Sequence, residues 1–510
     1  MADGVTSPPR SVVPEELCEA LGETGAIGAT VQQLARRLDE PPPYIAAALA
    51  TLEAEGEVLH HGRGLWVLHA FGELASRSDF VSPEDYTERF ARENGVTLGR
   101  YRGPITFASN ETLPIHRWWP YVQGYSAEFV RSMIEEHGLQ PGETIFDPFA
   151  GSGTTLVEGR RAGLHAVGCE LLPPAALAAQ VKTYFELSPR ALVMAWQRYR
   201  RNARRARPAS LPFLRETARQ FSPEVLARLG GLRAALPPQG APVNNALRVA
   251  FGRILIPVSQ LHRSPCLGYR RTPAENPLDP YEELDRVIGE MAEDLRRLAP
   301  EHARWGPSAE VQTHDARSVS LRRGSVAIAV TSPPYVNGMD YVMNYKLDLA
   351  WLGYARSYAD LAALRQAQVA CDNLPRAEAA PYLSIARVPD PWLREILARI
   401  QRNVARKGSY RRNDVHGIVS RYFWDLVPVL RRVRESLRPG GQFLVVVGDS
   451  LLAGAYVPGD LLLARLGASL GFRIAAVDVA RGRRSGQRRS FRLRESIVTL
   501  ERPRTSTGAV

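Results

Sequence analysis

At 510 residues, with 45% hydrophobic and 23% charged positions, the chain has the make-up of a globular protein of two or three domains. No N-terminal apolar stretch resembles a signal peptide and no run approaches a membrane span, so a cytoplasmic protein without membrane partners is expected. Cys18, Cys169, Cys266 and Cys371 stand singly, which excludes the paired spacing of zinc or redox motifs and leads us to expect no metal.

A net charge of +12 fits a polyanionic partner. Lysine stands only at 182, 346 and 407, so the charge is nearly all arginine and its location says more than its type.

Residues 1–12, with Pro8 and Pro9, are expected to be a disordered tail. Over 13–70 the pattern is helix (15–21), helix (31–38), helix (44–56), then two strands of Glu57-Val58-Leu59-His60-His61 and Leu65-Trp66-Val67-Leu68 around a glycine turn. This resembles a winged helix, with 44–55 in the recognition-helix place. That helix carries no Arg or Lys, so a protein-contact role stands beside DNA reading, and Arg63 in the wing is the candidate DNA contact. Residues 71–110 are polar and mixed and are expected to be a linker. An aromatic cluster, His116-Arg117-Trp118-Trp119-Pro120-Tyr121, precedes an amphipathic helix expected from Tyr125 to about 137.

Thr144-Ile145-Phe146 reads as a buried parallel strand and opens into Asp147-Pro148-Phe149-Ala150-Gly151-Ser152-Gly153-Thr154-Thr155. Gly151 and Gly153 let the backbone turn sharply and approach a ligand, and a helix starting near Thr154 offers free N–H groups to a negative group. A glycine loop alone is not specific to cofactors. His165-Ala166-Val167-Gly168-Cys169-Glu170 then reads as a second strand ending on an acid, a position from which a carboxylate accepts hydrogen bonds from both ribose hydroxyls.

From 188 to 309 the strand–helix alternation stops and helical segments take over at 190–207, 223–236, 245–261 and 280–298. So long an insertion in an α/β domain suits substrate recognition. Arg201 and Arg204 in its basic first helix, and Arg270 and Arg271 after Gly268-Tyr269, are candidate phosphate contacts or simply a solvated face.

Val311-Gln312-Thr313-His314-Asp315 reads as the third strand, and the apolar run 325–330 as the fourth, ending in Thr331-Ser332-Pro333-Pro334-Tyr335. Two prolines directly after a buried strand remove donors and stiffen the loop. Free carbonyls and one aromatic ring suit holding a flat, amine-bearing ring; equally, the prolines end the strand and Tyr335 sits in the core. A helix is expected over 340–351 and a second insertion near 357–412, with a basic stretch of Arg402, Arg406, Lys407, Arg411 and Arg412. Arg438-Pro439-Gly440-Gly441 reads as a turn into a fifth strand over 442–449, and 473–479 and 495–500 as final antiparallel strands. The loop 481–489 between them, including Arg484, is a candidate DNA-backbone contact.

The glycine loop and Ser332-Pro333-Pro334-Tyr335, each at a strand end, together resemble the two signature motifs of the DNA amino-methyltransferases, which methylate cytosine N4 or adenine N6. The resemblance covers about 110–186 and 308–500. It implies an α/β fold: a Rossmann-like doubly wound methyltransferase sheet built from 111–187 and 310–502, split by the helical insertion 188–309, with the small winged-helix domain in front and a tail at 503–510. It implies S-adenosyl-L-methionine as cofactor and double-stranded DNA as partner, and leaves a restriction or defence partner open. Carried over residue by residue, Asp147 takes the methionine ammonium, Phe149, Gly151 and Gly153 line its path, Thr154 meets its carboxylate, Glu170 holds the ribose and Asp315 meets the adenine amino group. Ser126 and Phe129 resemble the segment that packs beside the cofactor.

On the catalytic side, Ser332 and the Pro333 carbonyl accept the amino hydrogens, Pro334 stiffens the loop and Tyr335 stacks on the flipped base. Serine in the first place favours cytosine N4. The cofactor motif preceding the catalytic one departs from the order of many N4 enzymes and keeps adenine N6 open. A tRNA guanine-N2 methyltransferase and a non-enzymatic winged-helix regulator are the rival readings.

Overall fold

The computed structural model describes residues 14–24, 29–61, 65–68, 81–121, 124–263, 266–272, 278–307, 309–370, 376–407, 413–484 and 492–504. The candidate Arg63 lies outside them, as do Arg411, Arg412 and residues 485–491 of the candidate loop.

At the N-terminus, helices Pro14–Thr24, Val31–Leu38 and Pro42–Ala54 pack Leu17, Leu21, Leu34, Ile45 and Leu49 together. The strands β1 (Ala29–Thr30), β2 (Val58–His61) and β3 (Leu65–Leu68) close this unit as an antiparallel sheet in the order β1-β3-β2. Thr30 and Gln33 form a capping box at the start of the second helix, which fixes where the turn ends.

The segment expected as a linker differs. From Ser82, whose side chain caps the helix Pro83–Asn94, the chain is packed: Tyr86 and Phe90 are buried against Trp392, with ring centroids 5.5 and 6.4 Å apart. The two aromatics are one helical turn apart, but charges on the remaining faces hide the stripe in the sequence. The strand β4 (Gly99–Arg100) then adds to the edge of the main sheet.

That main sheet comprises β4, β5 (Thr144–Asp147), β6 (His165–Cys169), β9 (Glu310–Gln312), β10 (Val326–Thr331), β11 (Leu437–Gly448), β14 (Arg473–Arg484) and β15 (Arg492–Glu501), in the order β4-β14-β15-β11-β10-β5-β6-β9. The pairs β11–β10, β10–β5, β5–β6 and β6–β9 are parallel, while β15 runs antiparallel to both β11 and β14. Every residue of β10 is buried, as a strand covered on both faces requires. The chain moves outward from β5 through β6 to β9, then returns to β10 on the other side of β5. Strand order therefore reverses between β5 and β10, where a doubly wound sheet leaves a crevice at its carboxyl edge.

Two boundaries shift from the sequence reading. The turn at 438–441 is drawn into β11, where the pairing with β10 slips and Gly440 takes φ +78°, so the Pro-Gly-Gly run becomes a bulge. The final strands are longer than expected, which puts Arg481 and Arg483 in β14 rather than in a loop.

Between β6 and β9 stands the helical layer, with helices Pro189–Arg205, Pro223–Ala234, Pro242–Ile254 and Pro280–Leu298 and the small hairpin β7 (Leu261–Arg263) and β8 (Leu267–Tyr269). Each of the four helices starts on proline, whose missing N–H costs nothing there, and Ser188, Ser222 and Asp279 supply caps. Trp196, Leu229, Phe251, Leu284 and Ile288 give this layer a core of its own, shared with Trp351 of the helix Lys346–Trp351. The remaining strands, β12 (Ser450–Leu452) and β13 (Ala455–Val457), form a hairpin before the helix Gly459–Ser469.

Candidate active site

The loops after β5 and β10 meet in one cavity, lined by Phe149, Gly151, Ser152 and Thr154 from the first and by Ser332 and Pro334 from the second. Gly151 (φ +51°) and Gly153 (φ +86°) both use a left-handed backbone. A Cβ on Gly151 would stand 2.7 Å from the Tyr121 ring, and one on Gly153 would stand 2.9 Å from the Ala179 Cβ, so the loop is seated between an aromatic and the helix Pro173–Thr183. The helix Thr154–Arg161 has no side-chain cap, which leaves its first N–H groups for whatever occupies the cavity.

Glu170, at the end of β6, faces the same cavity. Its Oε2 accepts the Gly151 N–H and its Oε1 the Leu172 N–H, each at 2.8 Å, which leaves a lone pair on both oxygens. Burial raises its carboxyl to about 7, partly offset by the two backbone donors.

Asp147 sits differently from the expectation. It is not among the residues lining the cavity; its Oδ1 accepts from Thr331 (2.6 Å) and the Phe149 N–H (3.0 Å), and its Oδ2 from Tyr125 (2.5 Å). Burial raises its carboxyl, and these bonds hold it back. It therefore ties the β5 loop to the end of β10 from behind. Ser126 and Phe129 also lie behind the cavity wall: Ser126 Oγ caps the helix Ala127–Glu136 and Phe129 is buried beneath Tyr101 and Tyr125. Asp315 lines the cavity, but its carboxylate caps the turn at Arg317 N and pairs with the Arg317 guanidinium at 2.8–3.1 Å.

In the tetrapeptide, Pro333 is buried while Ser332 and Pro334 are partly open to the cavity. Tyr335 is not displayed for stacking. Its hydroxyl donates to Glu495 Oε1 at 2.6 Å, and the Arg483 guanidinium covers its ring at 5.1 Å. The polar groups of two neighbouring strands claim the ring, which no local pattern announces.

Three site residues escaped the sequence reading. Tyr121 packs on Gly151 and stacks with Tyr345 (centroids 5.6 Å, planes at 19°). Tyr125 bonds Asp147 and lines the cavity. Lys182, wholly buried, donates to Ser152 Oγ (3.1 Å) and to the Trp119 carbonyl (2.8 Å), and burial pushes its ammonium well below the usual range. Its rarity was the one available signal, since a lysine within an apolar helix in a chain with three lysines is unusual.

Among the candidate DNA contacts, Arg201 and Arg204 are exposed along one helix, with Arg204 over the Tyr281 ring at 5.2 Å. Arg270 and Arg271 are exposed after β8, and Arg270 Nε is held by the Leu261 carbonyl at 3.0 Å. Arg484 ends β14. A groove of about 580 Å³ adjoins the cavity at Tyr121 and Gly124 and is lined by Arg253, Arg263, Arg286 and Arg481; Arg481 belongs to the stretch 481–489 offered by the sequence for the DNA backbone, while Arg253 and Arg286 were not singled out there.

A family model described as DNA methylase matches residues 112–180, the stretch that holds Tyr121, the glycine loop and Glu170. Over this stretch the chain is similar to the DNA methylases. The chain is 24% identical to the type II methyltransferase M.BsoBI of Geobacillus stearothermophilus over 78% of its own length and 88% of that protein's. It is likewise 24% identical to the type II methyltransferase M.AvaI of Nostoc sp. over 76% and 86% of the two lengths. A solved geranyl diphosphate methyltransferase in complex with SAM aligns over 79% of this chain and 99% of that one, at 9% identity and a TM-score of 0.29. Among the described residues no helix is long and apolar enough to cross a membrane.

Proposed function

We propose that this chain is an amino-methyltransferase that uses S-adenosyl-L-methionine to methylate an exocyclic amine of a flipped DNA base, cytosine N4 ahead of adenine N6, as the modification enzyme of a restriction-modification pair. One observation carries the reading: Glu170 and the glycine loop form one side of a cavity whose other side is Ser332 and Pro334, at the reversal point of the sheet. The names of the type II relatives support DNA as the substrate.

When bound, the cofactor supplies a methyl group on a sulfonium. The remaining lone pairs of Glu170 suit two ribose hydroxyls. Ser152 accepts from Lys182, so its own proton is left for an acceptor in the cavity, and the first N–H groups of the helix Thr154–Arg161 favour the same negative end. Asp315, held by Arg317, borders the adenine end. Ser332 Oγ and the Pro333 carbonyl accept the amino hydrogens and favour the tetrahedral nitrogen that attacks. A serine rather than an acid in that place supports cytosine N4.

Taking a base out of the duplex costs a few kcal/mol, offset by edge bonds and stacking in the pocket. The arginines of the adjoining groove, together with Arg201, Arg204, Arg270, Arg271 and Arg484, suit the DNA backbone. In the N-terminal unit the helix Pro42–Ala54 shows an exposed Tyr44 and no cation, so base stacking or a protein contact suits it better than phosphate.

DNA from cells expressing the chain, hydrolysed and examined by mass spectrometry, is expected to contain N4-methylcytosine. N6-methyladenine instead would reassign the base, and methyl groups found in tRNA alone would overturn the DNA reading.

A further inference from the structure

A second cavity meets the first at Gly124, Tyr125 and Ser332. Among the described residues lining it, Glu495 of β15 is the sole acid. Tyr335 Oη donates to its Oε1 at 2.6 Å, and Arg481 Nε holds its Oε2. Ser332 Oγ lies 3.5 Å from Tyr335 Oη, the outer limit of a hydrogen bond.

The order of donors follows from what each group has to give. A carboxylate has no proton to offer, so Tyr335 uses its one proton on Glu495 and meets Ser332 as an acceptor. Ser332 in turn directs its proton to Tyr335. Both hydroxyl protons then point away from the shared mouth of the two cavities, and Ser332 Oγ presents lone pairs there. That is the polarity needed to accept an amino hydrogen, and Glu495 sets it from two residues away.

Methylation of an amine also releases a proton, and Ser332-Pro333-Pro334-Tyr335 contains no group basic enough to keep it. We propose that Glu495, acting through Tyr335 and Ser332 as a positioning residue, is the terminal acceptor of that proton. The proposal rests on Ser332 being the neighbour of the reacting amine.

The balance closes. As the nitrogen–carbon bond forms, the methyl–sulfur bond breaks with its electron pair left on sulfur, and the nitrogen sheds one proton. That proton goes to Ser332 Oγ, the Ser332 proton to Tyr335 Oη and the Tyr335 proton to Glu495; both hydroxyls end neutral and Glu495 ends as the acid. Burial and the adjacent Glu495 raise the Tyr335 phenol well above its ordinary range, so it passes a proton on without resting as a phenolate. The charged groups facing Glu495 are Arg481 and Arg483, both from β14.

The test compares Glu495→Gln, Glu495→Asp and Tyr335→Phe in the full chain. Glutamine keeps an acceptor oxygen for Tyr335 but does not take a proton, so kcat on DNA is expected to fall by about 100-fold or more. Calorimetric affinity for S-adenosylmethionine and the melting temperature are expected to stay at wild-type values, and the acidic limb of the pH–kcat profile to disappear. Tyr335→Phe should match the loss, and Glu495→Asp should restore part of the rate with a displaced limb. A Glu495→Gln enzyme with wild-type kcat and an unchanged limb overturns the relay. So does a variant that loses cofactor affinity and melting temperature together with rate, which assigns Glu495 to structure. A wild-type chain that methylates no DNA base overturns the proposed function first, an outcome distinct from both.

Discussion

Asp147 shows how one residue's position changes its meaning. In the sequence it opens the cofactor motif and invites an ion pair with the methionine ammonium. In the structure its oxygens are occupied by Thr331, Tyr125 and the Phe149 N–H, so it holds the two functional loops in register instead. Asp147→Ala leaves the Thr331 hydroxyl and the Phe149 N–H without their partner, at roughly 1–3 kcal/mol each, while Tyr125 keeps its bond to Thr155. Loss of both stability in urea and calorimetric cofactor affinity is expected; a variant that loses affinity at unchanged stability would return Asp147 to direct contact. Glu170 is the contrasting case, because the end of β6 puts it on the cavity wall as its place in the sequence implied. What lay beyond sequence reading is that Gly151 and Leu172 take one lone pair from each oxygen and orient the rest.

Among the elements, the helix Pro83–Asn94 connects the N-terminal unit to the catalytic part of the chain. Arg89 reaches Glu395 (2.9 Å), Glu93 accepts from Trp392 (3.0 Å) and Arg465 (2.8 Å), and Arg494 reaches Thr87 (2.6 Å) while also pairing with Asp449. The ion pairs are partly exposed and contribute little singly, whereas the wholly buried Phe90 anchors the helix. Phe90→Ala is expected to destabilise the chain by about 3–5 kcal/mol in urea unfolding. A change under 1 kcal/mol would show that the helix docks without it. The β14–β15 hairpin is the second decisive element. Its extra length brings Arg481 and Arg483 beside Tyr335, and the alternation along two paired strands sets Glu495 on the same side.

For the whole molecule, two buried acids titrate near neutrality: Glu170, raised to about 7 by burial, and Asp449, raised to about 7 by burial and by Asp460, with Arg494 opposing. Both lie above their unfolded values, so at these two positions the folded chain binds more protons than the unfolded chain between about pH 4 and 7. Their contribution to stability is complete below the unfolded values and is lost as pH rises through 7. The melting temperature of the cofactor-free protein is expected to fall between pH 6 and pH 8, and Asp449→Asn should flatten that slope; a rise over the same interval would contradict the assignment. Seen whole, the sequence by itself determined the parallel strands, their loops and the two motifs, because a strand buried on both faces and a turn needing glycine or proline leave local marks. Only the tertiary structure decided which further groups join the two motifs and Glu170 around the cavity. Tyr121, Tyr125, Lys182, Arg483 and Glu495 come from segments far apart in the chain, and their roles arise from hydrogen bonds and packing across the sheet that no local pattern encodes.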